Sequence, residues 1–465
     1  MECNYRRIKK SIIGMFFLLL LMVLFVFTKN ISSKEDLLPM DAEISVKKET
    51  REAFSAPIPS LSLSKMRLFT GGRHLFRRSW TTAPSSVKSL DGLGPVFNRV
   101  SCSGCHVKDG RGRPPENGNN FRSMVIKLSL TYNNEILPDP NYGFQLNDKS
   151  ILGVPYEGKA KINYSKKIVY FADKSEAQLT VPHYSFHSLS FGPLDPKTKY
   201  SARVAPTTFG LGLIEAIKQE DIFNNEDPLD KNNDNISGRA HVINDLPSQK
   251  KIIGKFGWKA TRGTLLHQIT GAASQDMGLT STIFPKQNCM NIQKACSYQI
   301  NGGEPEISDE QIHVLQVYMQ TLAAPRQRNP QDREIIDGSN LFTNIGCENC
   351  HLSTYRTGNH KDHKELSNRI IKPYSDFLLH DMGPGLDDGV EEGSAKSSEW
   401  KTSPLWGIGL VKTVNKHTRF LHDGRAGSIE EAILWHEGES LHSKNNYIDL
   451  SAEERRKILK FLNSL

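Results

Sequence analysis

Cysteine is scarce in this sequence: seven among 465 residues, at positions 3, 102, 105, 289, 296, 347 and 350. That is too few for a disulfide scaffold. Clusters of basic residues are also missing. The formal charge is +8, and four of the cations (Arg6, Arg7, Lys9 and Lys10) lie together ahead of an apolar run with only Glu2 beside them. The rest of the chain is mildly basic and unclustered, so it has no footprint for phosphate backbones and a nucleic-acid partner is excluded. After residue 27 no apolar run is long enough to span a bilayer. With 37% hydrophobic and 24% charged residues, the chain is too apolar for a disordered tail and long enough for two or three domains.

At the N-terminus, residues 12–27 (IIGMFFLLLLMVLFVF) follow the basic segment, the pattern of an export signal. Sixteen residues at ~1.5 Å each reach about 24 Å, short of the ~30 Å hydrocarbon core unless the flanks help. The following TKNISSKED has no A-x-A cleavage site. Residues 1–30 are therefore a signal peptide or an uncleaved inner-membrane anchor, and residues 31–65 a tether. The body is placed in the periplasm. Cys3 lacks a lipobox and stays on the cytoplasmic side.

The body shows a duplicated plan. PVFNRVSCSGCH (95–106) matches NLFTNIGCENCH (340–351), with Phe97 and Phe342 each five residues before a cysteine. ISDEQIHVLQVYMQTL (307–322) matches LSAEERRKILKFLNSL (450–465), and each opens with a capping box, Ser308/Gln311 and Ser451/Glu454. Apolar residues at helical spacing follow in both. The Pro-rich AAPRQRNPQDRE (323–334) separates two units, 66–325 and 326–465. Alternating stretches such as SMVIKLSLTY and AQLTVPHYSF make about 122–200 a β-rich insertion in the first unit.

Cys102-Ser-Gly-Cys105-His106 and Cys347-Glu-Asn-Cys350-His351 are both C-x-x-C-H, the spacing for two thioether bonds to haem with the histidine as iron ligand. Two chance occurrences would have a probability of order 10⁻⁵. Zinc or redox thiols are the alternative, but a zinc ribbon brings its second C-x-x-C within about 20 residues. Cys289 and Cys296 lie outside both motifs; in an oxidising compartment they read as a disulfide, or else as two free thiols. Asp230, Asn232 and Asp234 resemble a calcium loop without its Gly at position six or Glu at twelve, so a calcium ion competes with a plain Asn/Asp turn. The acids Asp387, Asp388, Glu391 and Glu392 read as a solvated loop.

Over about residues 66–465 the chain resembles the di-haem c-type oxidoreductases often labelled thiol oxidoreductases. These are relatives of bacterial di-haem cytochrome c peroxidases and of the di-haem enzymes that oxidise protein side chains. The resemblance rests on DGLGPVFNRVSCSGCHVKDGRGRPP (91–115), RVAPTTFGLGLIEAI (203–217), FGWKATRGTLLHQ (256–268), SQDMGLTS (274–281), HDMGPGLDD (380–388), EWKTSPLWGIGL (399–410) and HDGRAGSIEEAILWHEGE (422–439). It implies a mainly α fold of two cytochrome c-like haem domains, the first carrying the β-rich insertion.

In the peroxidases a distal ligand follows the His of an H-D-G motif by fourteen residues. Counting from His422, that position is His436, with Met382 as the competing ligand and a protein-bonded core His as the plain alternative. The distal His of their first domain corresponds here to Arg122, so the first haem is five-coordinate or recruits His74, His183, His187, His241 or His267. Resemblance also places Gln268 and Asp276 as proton-handling groups, and Trp258 between the haems; a helix-start Asp and a core Trp are the plain alternatives. The implied activity is peroxidase-like, with electrons passing from the C-terminal haem to a reactive N-terminal one. The implied partners are hydrogen peroxide and a small redox protein or quinol-linked donor. A non-enzymatic di-haem electron carrier is the competing reading. No reactive thiol supports the family's thiol label.

Overall fold

The computed structural model describes residues 38–116, 121–133 and 135–465. The export segment 1–30 and the first part of the tether lie outside them. Among the described residues no helix is long and apolar enough to cross a membrane.

Two helix pairs form the scaffold. Helix α1 (Leu63–Arg77), capped by the Ser62 hydroxyl on Lys65 N, packs on α3 (Asp309–Gln320), with α2 (Leu265–Met277) against α3. In the second half, α4 (Arg333–Asn344) packs on the closing helix α6 (Ala452–Ser464). Both closing helices carry the capping box in full, at Ser308/Gln311 and Ser451/Glu454. Each pair makes its close approach through one glycine. A Cβ on Gly72 of α1 would lie 2.3 Å from the Val314 carbonyl oxygen, and one on Gly338 of α4 would lie 2.1 Å from that of Lys457. Only a residue without a side chain lets the helix axes come this close.

The strands lie mostly between residues 124 and 204. The central strand β1 (Met124–Tyr132) buries Met124, Ile126 and Leu128 on one face, the period-2 pattern of a half-buried strand. It is flanked antiparallel by the short β2 (Gln145–Leu146) and by β5 (Lys199–Val204), with Lys127 opposite Gln145 and Met124 opposite Val204. The hairpin of β3 (Lys159–Tyr170) and β4 (Glu176–His187) reaches across to the second half. There the Thr180 amide donates to Glu431, and Arg455 stacks on Phe171 and pairs with Asp173. A three-residue ribbon, β6 (Leu379–Asp381) with β7 (Glu399–Lys401), and α5 (Ile429–Leu434) complete the walls. The largest buried apolar cluster runs continuously from Met40 to Leu465.

The expectation of a mainly α chain built from two cytochrome c-like domains is overturned. The described residues are 28% helical and 20% strand, with many small sheets. The helical-period segments do form helices, but the scaffold they build is small. The cysteine motifs themselves are single 3₁₀ turns, Cys102–Gly104 and Cys347–Asn349. With 35 glycines and 23 prolines, much of the intervening chain favours turns, loops and short ribbons.

Candidate active site

One cavity of about 1040 Å³ lies between the helix pairs, above the ~300–1,000 Å³ of ordinary small-molecule sites. Both cysteine motifs line it, together with Trp258, Gln268, Asp276, Met382 and His436. The structure thus brings to one chamber both cysteine motifs and the five residues that the resemblance placed beside them.

Three histidines in the cavity share one arrangement. Nδ1 of His106 lies 2.7 Å from the Pro206 carbonyl, Nδ1 of His351 lies 2.9 Å from that of Tyr374, and Nδ1 of His436 lies 2.8 Å from that of Ala432. A carbonyl can only accept, so Nδ1 carries the proton in each and Nε2 keeps its lone pair; no described residue takes it. This is the way proteins orient a metal-binding imidazole. Burial holds all three below the usual histidine range, His351 at about 4 with the nearby His436 adding to the effect. The His106 and His351 rings also each meet a phenylalanine from a scaffold helix: Phe76–His106 at 6.2 Å and Phe342–His351 at 6.1 Å between centroids. The partner of Phe342 in the duplication is therefore Phe76, in G-x-x-L-F at both sites (72–76 and 338–342), and not Phe97, which sits in a two-residue strand.

The two ends of the cavity differ. His436 follows α5 and faces the second motif. Met382 is half-buried there too, its sulfur 3.9 Å from the Ser440 hydroxyl. At the first motif no histidine plays the part of His436. His74 and His183 are exposed, and His187 bonds Ser188 outside the cavity. His267 bonds Asp245 and does not line the chamber, while His241 has both nitrogens engaged, by Lys259 O and Ser394 N. Arg122 is exposed.

The first motif instead faces Asp276 and Gln268 of α2. Burial pushes the thiols of Cys102 and Cys105 up to about 12, and the Asp276 carboxylate adds to both shifts. Asp276 stands at the last turn of α2, not at a helix start. An acid there opposes the helix dipole, at a cost of about 0.3–1 kcal/mol. Between the ends, the Trp258 indole N–H donates to Val204 O at 2.9 Å, with Arg111 over its ring at 5.6 Å.

Sequence reasoning missed the cations that line this chamber, Arg111, Arg203 and Lys401, and Lys259 buried behind them, because a lysine in a sequence is a surface residue by default. Lys259 donates to three backbone carbonyls, each at 2.8 Å, and burial brings it down to about 8. Lys401 is likewise at about 8 and Arg111 at about 10, both through burial, and the Arg111 Nε has no partner. Lys259 and Arg203 cover one aromatic, Trp400, on which His422 stacks at 3.8 Å and 10°. Burial, with Arg425, Arg203, Lys259 and Arg111 nearby, keeps His422 neutral. Glu392 and Asp388, expected in a solvated loop, both pair with Arg203 at 3.0 Å.

The residues fit two haems. There are two thiols and one pre-oriented imidazole at each end, apolar walls between them, and buried cations suited to the propionate carboxylates, including the unpartnered Nε of Arg111. They do not fit zinc. Among the described residues the one group of three or more His, Cys, Asp or Glu with ligand atoms within 4.8 Å is Cys350, Asp376 and His380. There His380 is spoken for, 2.8 Å from Asp376 and 2.7 Å from Glu439. Burial alone would depress it, but the two carboxylates outweigh that and hold it well above the usual range, as an imidazolium that cannot ligate. At the Asp230–Asp234 loop, carboxylate and amide oxygens accept the loop's own N–H groups: Asp230 Oδ1 from Asp234, Asn232 Oδ1 from Asp234, and Asp234 Oδ1 from Ile236. Cys289 and Cys296 are joined, with Cα atoms 5.8 Å apart.

A family model described as "Di-haem oxidoreductase, putative peroxidase" matches residues 41–136 and 158–465. No curated protein and no solved structure matches the chain.

Proposed function

The chain belongs to the di-haem oxidoreductases, and on that premise we propose that it is an exported peroxidase, reducing hydrogen peroxide at its N-terminal site with electrons received at its C-terminal site. The observation that carries this reading is the asymmetry of the cavity. Two pre-oriented imidazoles, His351 and His436, serve the second motif, whereas the first has His106 alone and faces a carboxylate, Asp276. A haem with two strong ligands transfers electrons; one with an open face binds a small oxidant.

In this reading Cys102 and Cys105, and Cys347 and Cys350, would hold the haems by thioether bonds, with His106 as the iron ligand at the first motif and His351 and His436 as those at the second. When bound, the haems supply the redox chemistry, in which peroxide, two electrons and two protons become two waters. The electrons come singly from a small redox protein or a quinol-linked donor. Asp276 moves a proton from the near peroxide oxygen to the leaving one, a general acid–base role that contributes about 10²–10⁴-fold. Gln268 shares the pocket and orients the peroxide by hydrogen bonding. Trp258, fixed through its indole N–H, relays electrons between the two ends. Lys401 and Arg111, which line the cavity, neutralise buried carboxylates. Residues 1–30 send the body to the periplasm, as a cleaved signal or as an inner-membrane anchor.

The spectrum of the oxidised, haem-loaded protein tests the proposal. A high-spin fraction that changes on adding equimolar hydrogen peroxide is expected. Two fully low-spin, peroxide-inert haems would leave only an electron carrier. Haem that stays with the polypeptide after denaturation checks the thioether bonds.

A further inference from the structure

The family match breaks between residues 136 and 158, and the chain in that gap reaches into the cavity. Its strand β2 pairs with β1 and carries Gln145, whose side chain is 3% exposed. The Gln145 Nε2 lies 2.8 Å from Asp276 Oδ1, 2.7 Å from Asn98 Oδ1 and 3.1 Å from the Gln275 carbonyl. Among the described residues no other side chain donates to the Asp276 carboxylate, and its second oxygen has no protein partner. We propose that Gln145 is a positioning residue that fixes the Asp276 carboxylate toward the N-terminal reaction site.

The segment is built to hold still. The buried Asp139 carboxylate accepts from Asn141 N, Tyr142 N, Asp195 N and Thr198 Oγ1 at 2.7–3.1 Å. Asn98 Nδ2 donates to Leu146 O at 2.9 Å, locking the strand that carries Gln145. At the far end, the buried Glu157 accepts from Asn147 N at 2.6 Å and from Gln293 Nε2 at 2.8 Å. Gln293 lies inside the loop closed by Cys289 and Cys296. A donor anchored at both ends restricts the carboxylate to one rotamer, and catalysis by a carboxylate depends on that geometry. Of the other groups near Asp276, only Lys127, which bonds Gln275 at 2.6 Å, carries a charge; burial keeps His106, Cys102 and Cys105 neutral.

This proposal rests on the reading of Asp276 as the proton-handling group, and the test separates the two. Full-length, haem-loaded protein is compared as wild type, Gln145→Met, Asp276→Asn and the double variant. Gln145→Met keeps side-chain length without the donor; it should lower kcat for hydrogen peroxide about tenfold with little change in KM. Asp276→Asn should lower kcat about 100-fold or more, and the double variant should be no worse than Asp276→Asn, because Gln145 acts only through Asp276. Cyanide supplies a readout without turnover. Hydrogen cyanide must give up its proton to bind ferric iron, so the absorbance change should slow in both single variants. Gln145→Leu, of similar size and also without a donor, should lose about as much kcat as Gln145→Met and gives a second measurement if the latter folds poorly. Wild-type kcat and cyanide rate in Gln145→Met, or an equal loss with and without Asp276, would overturn the positioning role while sparing Asp276. Full activity in Asp276→Asn would remove the reading beneath it.

Discussion

Neighbouring glycines on α1 give a comparison in which helix propensity cancels. Gly71→Ala and Gly72→Ala each gain about 1 kcal/mol of intrinsic helix stability. At Gly71 the new Cβ meets only Val314 Cγ1 at 3.4 Å, an ordinary contact. At Gly72 it would lie 2.3 Å from Val314 O and 2.6 Å from Tyr318 Cβ, and reaching even 3.0 Å requires α1 and α3 to move apart. Backbone atoms cannot yield as a side-chain tip does, so overpacking costs about 1–3 kcal/mol. Gly71→Ala should therefore melt at or above wild type, and Gly72→Ala should be less stable than Gly71→Ala by about 1–3 kcal/mol. The displacement should also reach the site. Tyr318 bonds the buried Asp109 at 2.6 Å and packs on Phe76, which backs His106. Thermal melts followed by fluorescence, with the Soret band recorded in parallel, read both effects. Equal midpoints for the two variants, with an unchanged Soret band, would refute the close helix approach and its coupling to the first site.

His436→Ala should convert the second haem to high spin while Met382→Ala leaves it low spin, as read by absorption and electron paramagnetic resonance; the reverse outcome would make Met382 the ligand. His363 is 2% exposed, with Nε2 3.0 Å from Gln320 Oε1 and Nδ1 unpartnered. Burial, with Lys65 and His360 nearby, depresses it to about 4. Its unfolded value is about 6.5, so between 6.5 and 4 the unfolded chain binds the extra proton. Stability present above pH 6.5 is lost as pH falls toward 4, by up to about 3 kcal/mol. His363→Gln should accordingly flatten the acid side of a melting-temperature profile, and parallel profiles for variant and wild type would contradict the assignment.

The parts of the fold legible in the sequence were those with a local signature. The capping boxes at Ser308 and Ser451 stand where their helices begin, since a Ser and its N3 partner are three residues apart in any context. The alternation in SMVIKLSLTY likewise becomes β1. The overall class was misjudged because a three-residue ribbon such as Leu379–Asp381 with Glu399–Lys401 is too short to show a period, and many such pieces accumulate. The internal repeat was read through the wrong phenylalanine for a related reason. Phe342 reaches Cys347 directly, but a long loop separates Phe76 from Cys102. Spacing from the cysteine therefore selected Phe97, whereas the feature that repeats is the Gly-to-Phe spacing set by the helix.

The site divides along the same line, and the division bears on how the two halves diverged. What surrounds His106 and His351 is duplicated: C-x-x-C-H, a glycine that closes a helix pair, and a phenylalanine one helical turn later at about 6 Å from the ring. These elements are local and were partly readable. What faces each imidazole is not duplicated. His436 comes from the chain just after α5, while Asp276 comes from the end of α2 and is held by Gln145 from a strand between the two family-matched blocks. Contacts between positions 145 and 276 leave no periodic trace, so the distal side needed coordinates. A common proximal scaffold with unlike distal sides is what separate electron-entry and reaction sites require. If Gln145→Met and His436→Ala each alter only their own haem's spectrum, the distal sides are independent; if either alters both, the division between the two ends is wrong.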